Sequence, residues 1–209
     1  MRCCQKIFMI PGVLVIGLML ADSAAAQWTN RYSKLSDFSH HTFLEQHELP
    51  ILAHGPTDPA PSPDGQTLAI AAQGWIWQLD LATGEATQLT NGAGVDSRPR
   101  WSPDGQKLAI VRDNGSDTSI VILDTENGHE QDLNTPTIEL DPEFSADGQS
   151  LYYTSGVGDK LSLWQRHLAS GADTQLTDLP QVERNARRLP SGDGLVYLHG
   201  SGPHRVLRE

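Results

Sequence analysis

Two sets of side chains in this sequence have the types and the spacing for chemistry. The first is Asp64, Asp104 and Asp147, which sit in near-identical settings: "SPDG" at 62–65 and 102–105, and "SADG" at 145–148. Carboxylates gathered in one place bind divalent cations or share a proton. The second is His40, His41 and His47 beside Glu45 and Glu48, the donor types of a zinc site if a fold drew them together. A blander reading is favoured for both. Repetition puts the three aspartates at one place in successive units, where Pro suits position i+1 of a turn, Asp follows it, and Gly accepts the positive φ that ends it. Asp64–Gly65, Asp104–Gly105 and Asp147–Gly148 are therefore expected to be structural turns. The histidines fall in a polar amino-terminal strap. His54, His129, His167, His199 and His204 are scattered and read as surface or hydrogen-bonded structure.

The turns recur at about forty residues, the period of a repeat architecture. With a further turn expected at Asp193 they mark units at about 59–90, 99–133 and 142–177, and a partial one at 185–209. Each unit opens on a short segment with Pro, passes the Asp-Gly turn, and continues as apolar run, loop, apolar run, Gly turn and tail. "TLAIAA", "KLAIVR" and "SLYYTS" are strand-length apolar runs, as are "WIWQLDL", "SIVILDT" and "LSLWQRHL". A unit is thus a four-stranded antiparallel meander, and tandem meanders of this length are propeller blades. Apolar residues at both parities of "SIVIL" fit a blade covered on two faces. Trp75, Trp77, Trp101 and Trp164 are expected to fill the wedges between blades, with Phe144 at the repeat position of Trp101. The expected fold is all-β: three complete blades and part of a fourth, an incomplete ring.

Residues 1–26 have the three parts of a secretory signal: Arg2 and Lys6, an apolar run from Ile7 to Leu20, and Ala24-Ala25-Ala26 before a cleavage site. The run is shorter than a bilayer span, so no stable membrane insertion is expected after cleavage. Residues 27–58 are the strap and 59–209 the propeller segment. The only 2 cysteines, Cys3 and Cys4, fall in the signal, so packing rather than disulfides must hold the mature chain. A formal net charge of −11 argues against nucleic acid as a partner. No thiol nucleophile and no Gly-x-Ser-x-Gly elbow is present, and "NGAG" at 91–94 and "SGVG" at 155–158 do not lead into a helix as a phosphate cradle does. No cofactor is expected.

"PRWSPDGQKLAIV" with "IVILDTENG", and "PSPDGQTLAI" with "WIWQLDLATGEATQLT", resemble the TolB-type, WD-like propeller repeat. Such repeats occur in TolB, in the propellers of prolyl-oligopeptidase-type peptidases, and in the amino-terminal propellers of secreted amidohydrolases. "ELPILAHGPTDPAPSPDG", 48–65, followed by "TGEATQLTNGAGVDSRPRWSPDG", 83–105, looks most like the amidohydrolase-associated group. The resemblance implies a periplasmic, noncatalytic module for binding or gating, with hydrolytic chemistry in a carboxy-terminal domain not contained in these residues; the amidohydrolase His-x-His pair is not in the chain. It also implies an envelope protein or peptide-like substrate as partner, met at the channel mouth by residues just before the repeated Pro: Asp58, Arg98 and Asp141, with Asp96 and Glu139 two residues ahead of the last two. A TolB-like interaction module and a peptidase propeller are the alternatives.

Overall fold

The computed structural model describes residues 55–133, 135–157, 160–192, 194–200 and 206–208. The signal segment, both cysteines, His40, His41, His47, His54, His204 and Asp193 lie outside the described residues. Fifteen strands and no helix make up the described chain. They form four antiparallel meanders in chain order. The first sheet is β1 (Thr57–Pro61), β2 (Thr67–Ala72), β3 (Trp75–Asp80) and β4 (Ala86–Gln88). The second is β5 (Val95–Trp101), β6 (Lys107–Asp113), β7 (Thr118–Asp124) and β8 (Glu130–Asp132). The third is β9 (Glu139–Phe144), β10 (Ser150–Val157), β11 (Lys160–His167) and β12 (Ala172–Gln175). The fourth has three strands, β13 (Glu183–Arg188), β14 (Leu195–His199) and β15 (Val206–Arg208). "SGV" at 155–157 continues β10 and pairs with Ser162, Leu161 and Lys160.

β1, β5, β9 and β13 pack side by side, so each meander has its first strand innermost. The second sheet shows why both parities are apolar. Leu108, Ile110, Val121 and Leu123 join a cluster with Ala60, Ala69, Ala71 and Ile76 of the first sheet. Their neighbours Ala109, Val111, Ile120 and Ile122 join Leu140, Phe144, Leu151, Tyr153 and Leu161 of the third. Successive residues of a strand point to opposite faces, so each strand feeds two cores at once. Each fully buried aliphatic chain stabilises by about 1.5–3 kcal/mol relative to exposure, and no single sheet could supply this alone.

The tryptophans divide. Trp101 packs on the core between the first and second sheets and Trp164 on that between the second and third. The Trp101 indole also donates to Ala60 O across the sheets at 3.0 Å. Trp75 and Trp77 correct the expectation that all four fill wedges. Ile76 between them points at the second sheet, so they occupy the opposite face of β3, with indoles donating to Gly92 O and Ala72 O.

The Asp-Gly turns are hydrogen-bonded units built three times over. Ser62 Oγ donates to Asp64 Oδ1 at 2.6 Å and accepts from the Thr67 N–H at 3.0 Å, while the Gln66 N–H donates to the same carboxylate at 3.0 Å. Ser102 with Asp104, Gln106 and Lys107, and Ser145 with Asp147, Gln149 and Ser150, repeat the pattern. The turns also touch. A Cβ on Gly105 would meet Pro63 at 3.6 Å, one on Gly148 would meet Pro103 at 3.6 Å, and one on Gly192 would meet Ala146 at 3.3 Å. From the second turn onward, the space beside the turn glycine is bounded by the preceding turn's second residue. Ser102→Ala removes the hydroxyl that closes its hairpin and is expected to cost about 1 kcal/mol, read as a lower urea midpoint with unchanged m. A midpoint equal to wild type would show that the turn closes without it.

Candidate functional site

The residues just before the repeated Pro are inside the innermost strands. Asp58, Arg98 and Asp141 have φ of 51°, 52° and 53°, and Asn185 at the same place in the fourth sheet has 57°. At each, pairing with the next strand slips: between Thr57 and Ala60, Ser97 and Arg100, Leu140 and Glu143, and Arg184 and Arg187. This is a β-bulge, one unpaired extra residue in the left-handed region. Pro59, Pro99 and Pro142 follow it because a residue without an N–H fits only where the ladder is already broken. Ala186 holds the same place without a proline ring. The bulge re-aims the charged side chains along the wall made by β5, β9 and β13.

Two tiers of charge cross that wall. In the upper tier Arg98 Nη1 donates to Asp141 Oδ1 at 2.5 Å, and Arg184 Nε lies 3.8 Å from Asp141 Oδ2. Asp141 is fully buried, and Thr154 Oγ1 lies 3.4 Å from its Oδ2 as a further donor. In the lower tier Arg100 Nε is 3.8 Å from Glu143 Oε2, and Arg187 acts on the same carboxyl from the next sheet. Burial pushes the Glu143 carboxyl up, against the pull of Arg187 and Arg100. Burial also pushes Arg187 down, helped by the charge of Arg100. Each tier places one acid of the third sheet between arginines of the second and fourth.

Asp96 and Glu139 have other work. Asp96 is buried and takes two hydrogen bonds from Arg112, at 2.7 and 2.9 Å, while Arg112 also donates twice to Glu130. Those bonds raise the Arg112 guanidinium and hold Glu130 low. Glu139 is buried and accepts from the N–H and the hydroxyl of Thr135, clasping the connection that enters its sheet. Glu183 repeats this, accepting from the Leu179 N–H at 3.4 Å with His199 Nδ1 at 3.9 Å. Asp58 stays half-buried near the Thr57 hydroxyl. The structure thus brings Arg98 and Asp141 together and gives the buried Asp96 and Glu139 separate partners, Arg112 and Thr135. Arg100, Glu143, Arg184 and Arg187 were missed from sequence; the signal available was the repeat position two residues past the bulge, held by Arg100, Glu143 and Arg187.

No group of three or more His, Cys, Asp or Glu side chains is arranged to hold a metal among the described residues. Asp64, Asp104 and Asp147 are each committed to their own turn, and the serine hydroxyl and backbone N–H groups hold all three carboxyls below the ordinary 3.8. A carboxyl depressed on folding stabilises above its unfolded pKa, and that stability is lost as pH falls through the folded value. Asp80 is depressed by Thr83, Glu130 by Arg112, and Asp173 by Arg166 and Tyr153 against its burial. Glu143 has the opposite sign and favours the fold less as pH rises past 4.5. The depressed groups outnumber it, so the urea midpoint is expected to fall as pH drops below about 4. The triple variant D64N/D104N/D147N should flatten that slope. An unchanged slope would remove the turns as its source.

The TolB beta propeller domain family matches residues 41–208. An uncharacterized peptidase of Bacillus subtilis, YuxL, is 32% identical over 122 residues, covering 53% of this chain and 19% of its own. The Tol-Pal system protein TolB of Francisella tularensis is 28% identical over 124 residues, covering 51% of this chain and 27% of its own. The chain therefore spans well under a third of the length of these two relatives. A TolB-type structure from Agrobacterium tumefaciens superposes with a TM-score of 0.65 at 21% identity, over 73% of this chain and 57% of that one. Meander order, repeat turns and family match agree: this chain belongs to the TolB beta propeller domain family.

Proposed function

We infer that the chain is a noncatalytic propeller module of the cell envelope, reaching the periplasm through the signal at 1–26, where it binds a protein or peptide-like ligand at the innermost strands. The observation that carries this reading is the repeated bulge, which turns charged side chains of successive sheets onto one wall. Buried charge aligned across repeats costs stability unless it is well paired, and its placement on the innermost strands favours recognition over packing. A photo-crosslinking amino acid at Asp58 is expected to yield a discrete protein adduct in envelope preparations, and one at Glu126 on an outer turn is not. Equal labelling from both sites, or none from a chain with intact β-sheet circular dichroism, would sink the reading. Hydrolase activity of the purified chain above background would overturn the noncatalytic part.

In the whole protein the module gates substrate for an attached hydrolase domain. The stretches 48–65 and 83–105 support an amidohydrolase-type partner domain. The peptidase relative from Bacillus subtilis supports a second reading, an attached serine peptidase. Sequencing the frame beyond Glu209 separates them: further blades and a His-x-His pair support the first, a serine elbow the second. A stop codon there would remove both.

A further inference from the structure

The lower tier has a composition its own residues do not balance. Arg100 and Arg187 flank Glu143, which also accepts from the Arg188 N–H, while Asp141 of the upper tier adds its charge to that of Glu143 on Arg187. Neither guanidinium makes a close bond to that carboxyl among the described residues. Arg100 Nη1 donates to Pro99 O at 2.7 Å and Arg187 Nη1 to Ala186 O at 2.6 Å, each to the carbonyl one residue back. The two arginines are thus held in the same way by equivalent backbone on the two sheets that flank the third. Each keeps further N–H donors of a fork suited to a carboxylate. Arg100 is 24% exposed and Glu143 16%, so the group is half-buried at an accessible wall. Like charges crowd there in a chain whose net charge is −11.

We propose that Arg100 and Arg187 form a clamp for a carboxylate of an acidic peptide segment, with Glu143 as the internal competitor that the ligand displaces. The proposal rests on the binding reading above and names its ligand chemistry. The upper tier is closed on itself, because Arg98 and Arg184 both face the buried Asp141, so the lower tier is where a ligand carboxylate can enter. Peptide is preferred over an acidic sugar because an extended chain aligned with β5, β9 and β13 repeats their own rise per residue.

The full chain would be titrated by calorimetry with acetyl-Gly-Glu-Gly-Glu-Gly-amide and with its Gln counterpart. The Glu peptide is expected to bind at least tenfold more tightly, and its affinity to fall as salt is raised. Arg100→Gln and Arg187→Gln should each weaken it about tenfold, and Glu143→Gln should tighten it about threefold by removing the competitor. Equal binding of the Glu and Gln peptides to wild type overturns the clamp without recourse to any variant. So does an unaltered affinity in both arginine variants, provided their melting curves match wild type. Trigalacturonate bound as tightly as the Glu peptide overturns the peptide assignment. Loss of peptide binding alongside a retained adduct at Asp58 would sink the clamp and leave the binding reading standing; loss of the adduct with peptide binding retained would remove the envelope protein as ligand and keep the acidic peptide.

Discussion

Replacing Asp141 by alanine is expected to lower the free energy of unfolding by about 3–5 kcal/mol, the range for removing one partner of a buried ion pair. The carboxylate is fully buried and faces Arg98 at 2.5 Å and Arg184 at 3.8 Å, whose side chains are 19% and 8% exposed. Deleting it leaves two guanidinium groups facing one another with little solvent to screen them. For a domain of this size the melting temperature should fall by roughly 10 °C. The triple replacement R98M/D141L/R184M, which removes all three charges together, should recover much of the loss, because the penalty lies in the stranded charge. A D141A protein within 1 kcal/mol of wild type would mean that the upper tier contributes no net stability.

A second large effect is expected at Ile120. It is fully buried in β7, between the second and third sheets, and Ile120→Ala should cost about 2–5 kcal/mol. Leu79→Ala, on the half-buried face of β3 shared with Trp75 and Trp77, should cost about 1 kcal/mol or less. Urea unfolding of the two variants measures the difference directly. Similar losses at both positions would show that the first sheet's far face is as well packed as the inter-sheet cores.

What could be read in the sequence was what is local. The Ser-x-Asp-Gly turns close within a few residues, and the strands of "SLYYTS" and "SIVILDT" carry their own apolar pattern, so blade order followed from period alone. The double-sided burial of the second sheet was also legible, because alternate residues of one strand had to serve two neighbours. The charged wall was not. Arg98 meets Asp141 across 43 positions of sequence, and only the register of neighbouring sheets sets that meeting. The bulge misled in a specific way. A charged residue before Pro reads as loop, since αL is uncommon for such residues, yet the innermost strand runs on through it. Asp58, Arg98 and Asp141, named from sequence as residues just before the repeated Pro, lie at that bulge inside β1, β5 and β9. Arg187 gave no such cue, because Ala186 stands where the other sheets have Pro.

The stacked turns have a consequence for how such chains can change length. Gly105 rests on Pro63, Gly148 on Pro103, and Gly192 on Ala146. Each of the three later units thus sets its turn glycine against the second residue of the turn before. Joints of that kind are interchangeable. Duplicating or excising one whole unit regenerates the joint it disturbs, so the number of units can drift by recombination while the seams stay intact. A single-residue insertion inside a turn has no such escape, because it breaks the seam on both sides at once.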